Sequence, residues 1–144
     1  MKMPEPDAGT IARRGEIIAA LSGMVAAEGV IVDNDELRAF ECDGLSAYKQ
    51  IPMIVVLPET TAQVSLILKY CHENGIKVVP RGAGTGLSGG ALPLADGITL
   101  GLSKFNRILD VDYANRCVVA QPGVTNLGIT TAVEHDGFYY APDP

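Results

Sequence analysis

Between residues 53 and 57 the chain reads MIVVL, an unbroken apolar run rich in β-branched residues, which predicts a strand covered on both faces. Pro58 has no amide to extend the ladder, so the strand is expected to end there. The period then changes. Val64, Ile67, Leu68 and Cys71 recur at the spacing of one helical face. Thr60 stands at the N-cap position with Gln63 three residues later to close a capping box, and Gly75 supplies a stop. Residues 76–79 form the next strand. Strand, helix and strand in so short a span predict a parallel βαβ unit, because a parallel connection must return from one end of the sheet to the other.

The flanks are less regular. Residues 13–29, RRGEIIAALSGMVAAEG, predict a helix in which Ile17, Leu21 and Met24 share a face, preceded by a flexible leader. Residues 30–52 are mixed and polar, with turn formers at 33–35 and at Asp43-Gly44, so residues 1–50 read as a helical and extended collar around a domain spanning 51–144. After Gly97, short strands are expected at 98–102, 107–111 and 117–120. A short helix follows with Thr125 as its cap, although Gly128 and the threonines lower its helicity. The expected class is α/β (α+β): a small sheet containing a βαβ unit, with flanking helices.

Charge and cysteine content narrow the partners. The net charge of −6 comes with no basic tract, so nucleic acid and acidic membrane surfaces gain little attraction. No stretch approaches the roughly 20 apolar residues of a membrane span, and Pro4, Glu5, Pro6 and Asp7 do not resemble a signal peptide, which makes the cytoplasm the expected location. Cys42, Cys71 and Cys117 are odd in number and far apart, as expected of reduced thiols.

The candidate chemistry lies in residues 77–93, KVVPRGAGTGLSGGALP, where five glycines occupy nine positions directly after a predicted strand. In a parallel unit this loop falls at the carboxyl end of the sheet, where α/β folds commonly bind ligands. Residues 84–89, GTGLSG, formally satisfy G-x-G-x-x-G, but the segment continues into more glycines and Pro93 instead of opening a helix. Asp110, near the distance of a ribose-binding acid, therefore lacks its context. No Lys-Ser or Lys-Thr follows, so the nucleoside-triphosphate P-loop is also excluded. What fits is a non-helical anion cradle: glycines turn successive amides toward one point and admit a bulky group, Arg81 supplies charge, and Thr85 and Ser88 supply hydroxyls. A tight structural turn and a protein-interaction loop are the competing readings.

With the loop in view, the segments VVPRGAGTGLSGGALP, VAQPGVTN, FECDGLSAY and FYYAPDP together resemble the N-terminal flavin-binding region of FAD-linked oxidases of the vanillyl-alcohol oxidase type. Within that family the similarity is to the glycolate oxidase D subunit and the D-lactate dehydrogenases, and it extends from about residue 35 to Pro144. The resemblance implies FAD as cofactor. It implies that Pro80, Arg81, Gly82, Ala83, Gly84, Thr85 and Gly86, followed by Leu87, Ser88, Gly89 and Gly90, wrap the pyrophosphate. Pro58 and the turn Pro122, Gly123, Val124 are implied to lie toward the adenosine, and Tyr140, Pro142 and Asp143 toward the flavin.

The same resemblance implies that a second flavin subdomain and a substrate domain lie outside this sequence. The whole enzyme is then expected to oxidise a 2-hydroxy acid, of glycolate or D-lactate type, to a 2-oxo acid by hydride transfer to FAD. Its partners are expected to be further oxidase subunits or an electron acceptor, with peripheral membrane association through such subunits. The present chain is expected to be inactive alone and to self-associate through its exposed edge. A non-catalytic α/β interaction domain is the alternative. His72 and His135 sit at predicted helix ends without a base arrangement, and Asp110 and Asp112 alternate as in a surface strand, so neither a catalytic residue nor a metal is expected here.

Overall fold

The computed structural model describes residues 3–142 and divides into two compact units, Met1–Leu102 and Ser103–Pro144. The first unit is built on a four-stranded sheet of β1 (Val30–Ile31), β2 (Ile54–Val56), β3 (Lys77–Arg81) and β4 (Gly97–Gly101), in the order β1-β2-β4-β3. Strand β2 is fully buried at all three positions, as its uniform apolar sequence requires. Helix α4 (Thr61–Glu73) starts at Thr60 with the expected capping box: the Thr60 hydroxyl accepts from the Gln63 amide at 3.2 Å and the Gln63 side chain accepts from the Thr60 amide at 3.2 Å. It ends before Gly75, which has φ +65°. Ile67 and Cys71 face the core and Val64 packs against it, whereas Leu68 is 44% exposed and belongs to the outer side.

The βαβ expectation needs one amendment. Strands β2 and β3 are parallel, since each pairs in parallel with β4, but they are not neighbours; β4 lies between them. The helical crossover therefore leaves a gap that a later strand fills. Strand β4 is buried along its whole length, GITLG, as a central strand covered on both faces should be.

Residues 1–50 are more than a collar. Helix α1 (Ala8–Ala12), capped by the Asp7 carboxylate, occupies the expected flexible leader, and helix α2 (Arg14–Ser22) ends well short of Gly29. Met24 thus falls beyond the helix, although it still packs against the core. Ile17 and Leu21 are completely buried with Ile54, Val56, Ile67 and Ile98, and each such burial contributes about 1.5–3 kcal/mol. Strand β1 adds an antiparallel edge to β2, and α3 (Asn34–Leu37) is capped by Asp33. The 30–52 stretch lacked a readable period because its elements are two to four residues long. The Arg14 side chain donates to the carbonyls of Met53 and Val32, tying α2 to the sheet. Buried Asp96, before β4, accepts from the Asp7 amide at 2.8 Å and from Lys77 Nζ at 2.5 Å.

In the second unit, β5 (Ile108–Asp112) and β6 (Cys117–Ala120) pair antiparallel with an irregularity between Ile108 and Asp110. Helix α5 (Asn126–Val133) begins at Thr125, whose hydroxyl accepts from the Gly128 amide at 3.0 Å, and a further 3₁₀ turn ends at Gly137, φ +80°.

Candidate functional site

The parallel register sets the address of the site. Val56, Leu100 and Pro80 lie side by side, and Arg81 lies beside Gly101, so Pro58, the end of β4 and the loop that follows β3 all emerge at the carboxyl edge of the sheet. Pro58 is buried there. Pro80 is tolerated because β3 is an edge strand, where a missing donor costs no ladder bond on the open side. From Gly82 to Asp96 the chain forms neither helix nor strand, as the rejection of the helix-opening fingerprint anticipated.

Among the described residues, no backbone amide from Gly82 to Gly90 donates to a protein acceptor, so nine donors are left for water or a ligand. The glycines divide into two kinds. Gly84 and Gly89 have φ of +74° and +77°, values that favour glycine outright. Gly82, Gly86 and Gly90 do not, and a Cβ on any of them would meet nothing within 4 Å. A side chain there would be neither strained nor crowded; it would only fill open space. Thr85 and Ser88 are exposed on the same loop, as are Ala83 and Leu87, the latter by 74%.

The loop is held from behind by residues 40–45, which the turn reading of Asp43-Gly44 did not connect to it. Arg81 Nη1 donates to the Cys42 carbonyl at 2.7 Å, and the guanidinium carbon lies 5.6 Å from the centre of the Phe40 ring. A Cβ on Gly84 would come within 2.4 Å of that guanidinium. Gly44 is pressed against the loop itself, for a Cβ there would meet the Thr85 carbonyl oxygen at 2.5 Å. Buried Asp43 accepts from the Leu45 amide at 2.9 Å and from the Ala91 amide at 3.4 Å. The local signal for this contact was the FECDG segment itself, a turn with a buried acid and an aromatic.

The remaining predicted residues belong to the second unit. Pro122, Gly123 and Val124 form a turn in which the Gly123 amide donates to the Phe105 carbonyl and the Val124 amide to Gln121. The Tyr140 amide donates to the Thr130 hydroxyl, and the Pro142 carbonyl accepts from the Asn126 side chain, so this tail lies along α5. Asp143 falls outside the described residues. Tyr140 also lines a pocket of about 550 Å³ within this unit, together with Val111, Val118, Ile129, Val133 and Phe138. Of the cysteines, Cys71 is buried, which pushes its thiol up to about 11 and keeps it un-ionised at neutral pH.

A family profile described as "FAD binding domain" matches residues 52–144. The chain belongs to the FAD binding domain family. It is 47% identical over 131 residues to the glycolate oxidase subunit GlcD of Escherichia coli (strain K12), covering 91% of this chain and 26% of that protein. To the D-lactate dehydrogenase of Anaerostipes hadrus it is 36% identical over 121 residues, covering 83% and 26% respectively. In structure it resembles 4-ethylphenol oxidase from Gulosibacter chungangensis, with a TM-score of 0.78 at 24% identity over 94% of this chain and 27% of the other. The chain thus spans about a quarter of the length of the curated relatives it matches. Among the described residues no helix is long and apolar enough to cross a membrane.

Proposed function

We propose that this chain supplies the pyrophosphate-holding part of an FAD site in an oxidoreductase that converts a 2-hydroxy acid to a 2-oxo acid. The observation that carries the reading is the loop from Gly82 to Gly90 at the carboxyl edge of a parallel sheet: among the described residues its nine amides donate to no protein acceptor, and at three of its glycines a Cβ would meet only open space. A diphosphate needs several donors in a small volume and backbone that it can approach closely, and this loop provides both. Thr85 and Ser88 add hydroxyl donors.

FAD, when bound, supplies the acceptor for the α-hydrogen of the substrate, which leaves as hydride while the hydroxyl proton is lost to a base. This chain's part is to bind and orient. Resemblance to the glycolate oxidase subunit and to D-lactate dehydrogenase favours a small 2-hydroxy acid as substrate. The groups that position that substrate and take its proton would belong to sequence outside this chain, as would the acceptor that reoxidises the flavin and any partner subunits.

The test is a calorimetric titration with FAD of this chain and of the longer protein that contains it, paired with anaerobic bleaching by glycolate and D-lactate. The longer protein should retain flavin through desalting and bleach with one of these acids. The isolated chain should bind FAD weakly and produce no bleaching, because it lacks the walls and alignment that a complete cofactor pocket provides. A longer protein that purifies flavin-free and takes up no FAD would refute the reading.

A further inference from the structure

We infer that Arg81 is a positioning residue that fixes the shape of the glycine loop, and that it does not act as a counter-charge to the anion the loop holds. The inference rests on the cofactor reading above and assigns Arg81 a different role within it. The guanidinium is already engaged on the protein side: Nη1 donates to the Cys42 carbonyl at 2.7 Å, and the group lies over the Phe40 ring. Its other flank is against Gly84, so closely that a single added carbon would sit 2.4 Å from both Cζ and Nη2. The planar group therefore fills the gap between the 40–42 segment and the one loop position where φ is +74° next to it. Two further contacts act in the same direction. Gly44 abuts the carbonyls of Thr85 and Gly86, and the buried Asp43 carboxylate spans from the Leu45 amide to the Ala91 amide just past the glycines. The loop keeps its unpaired amides from Gly82 to Gly90, while it is fixed by contacts at Gly84, at Thr85 and Gly86, and at Ala91.

Charge and shape make different demands on position 81. A counter-charge can be replaced by lysine, and its value is screened by salt. A planar filler that donates to a carbonyl while stacking on a ring cannot be replaced by a flexible ammonium. We would therefore compare the wild-type chain with Arg81→Lys, Arg81→Gln and Asp43→Ala. Two readouts are used: backbone ¹⁵N order parameters of Gly82–Gly90 in this chain without ligand, and FAD affinity of the longer protein carrying the same substitutions at low and high salt.

Both Arg81 variants should lower the loop order parameters from about 0.85 toward about 0.6. Both should weaken FAD at least tenfold, with the same loss at each salt concentration, while the amide spectrum of the sheet is unchanged. Asp43→Ala, which leaves the guanidinium in place, should loosen residues 89–91 and keeps the test open if an Arg81 variant does not fold. Wild-type affinity in Arg81→Lys, or a loss in Arg81→Gln confined to low salt with a rigid loop, would overturn the inference in favour of a counter-charge. So would an undisturbed loop in all three variants. If the longer wild-type protein binds no FAD, the cofactor reading fails by itself, and the order parameters still decide whether Arg81 fixes the loop.

Discussion

At Gly84 two constraints meet: the backbone has φ +74°, and the Arg81 guanidinium occupies the place of a side chain. Gly84→Val should therefore strain the backbone and displace Arg81 together, lowering unfolding free energy by about 1–3 kcal/mol in urea titrations. In the longer protein it should also reduce FAD occupancy below that of Arg81→Ala, measured at matched folded concentration; equal occupancy in wild type and Gly84→Val would contradict the assigned role. The sequence marked the loop as glycine-rich but could not sort its glycines, because a positive φ and an open front are indistinguishable as letters. Nor could it foresee that Arg81 turns back to Cys42, since that contact spans 39 residues of chain.

Elements whose period was clear read correctly. Strand β2 announced itself by an unbroken apolar run and α4 by its capping box, and both formed within a residue of expectation. The insertion of β4 between β2 and β3 was not legible, because strand order depends on which edge a later strand finds and not on any local period. In the early segment the face of Ile17 and Leu21 is legible and both are core, whereas the five-residue α1 and the end of α2 at Ser22 are not, because they are too short or too weakly marked to show a period. One side-chain cluster ties these elements together. Burial alone would raise the Asp96 carboxyl, but the hydrogen bonds from Lys77 and the Asp7 amide outweigh it and hold its pKa below the ordinary 3.8. A depressed folded pKa gives stability that is complete above the unfolded value and is lost as pH falls through the folded one. Asp96→Asn should thus be less stable than wild type near neutral pH, with the gap closing below pH about 4. Urea unfolding across pH 2–7 checks this; a gap of constant size across that range would contradict it.

On the scale of the whole molecule, the second unit exposes large apolar side chains, among them Leu109, Val119, Leu127 and Tyr139, beside a sheet that has two strands among the described residues, with no third strand paired to either outer edge there. The isolated chain should associate with itself as concentration rises, visible as an increasing sedimentation coefficient, and Val119→Lys combined with Leu127→Lys should restore the monomer. A monomer at every concentration would count against this. The central claim concerns the open space at three glycines of the loop. Gly82, Gly86 and Gly90 have neither a positive φ nor any neighbour within reach of a Cβ, so alanine at all three should leave the unfolding midpoint unchanged or slightly raised. If these positions are glycine to admit a diphosphate, the same three methyl groups stand where the cofactor must come. The direct measurement is FAD affinity by calorimetry in the longer protein, wild type against the triple alanine variant, both shown to be folded. A loss of at least tenfold at unchanged stability is the predicted result, and wild-type affinity in the triple variant would contradict the account.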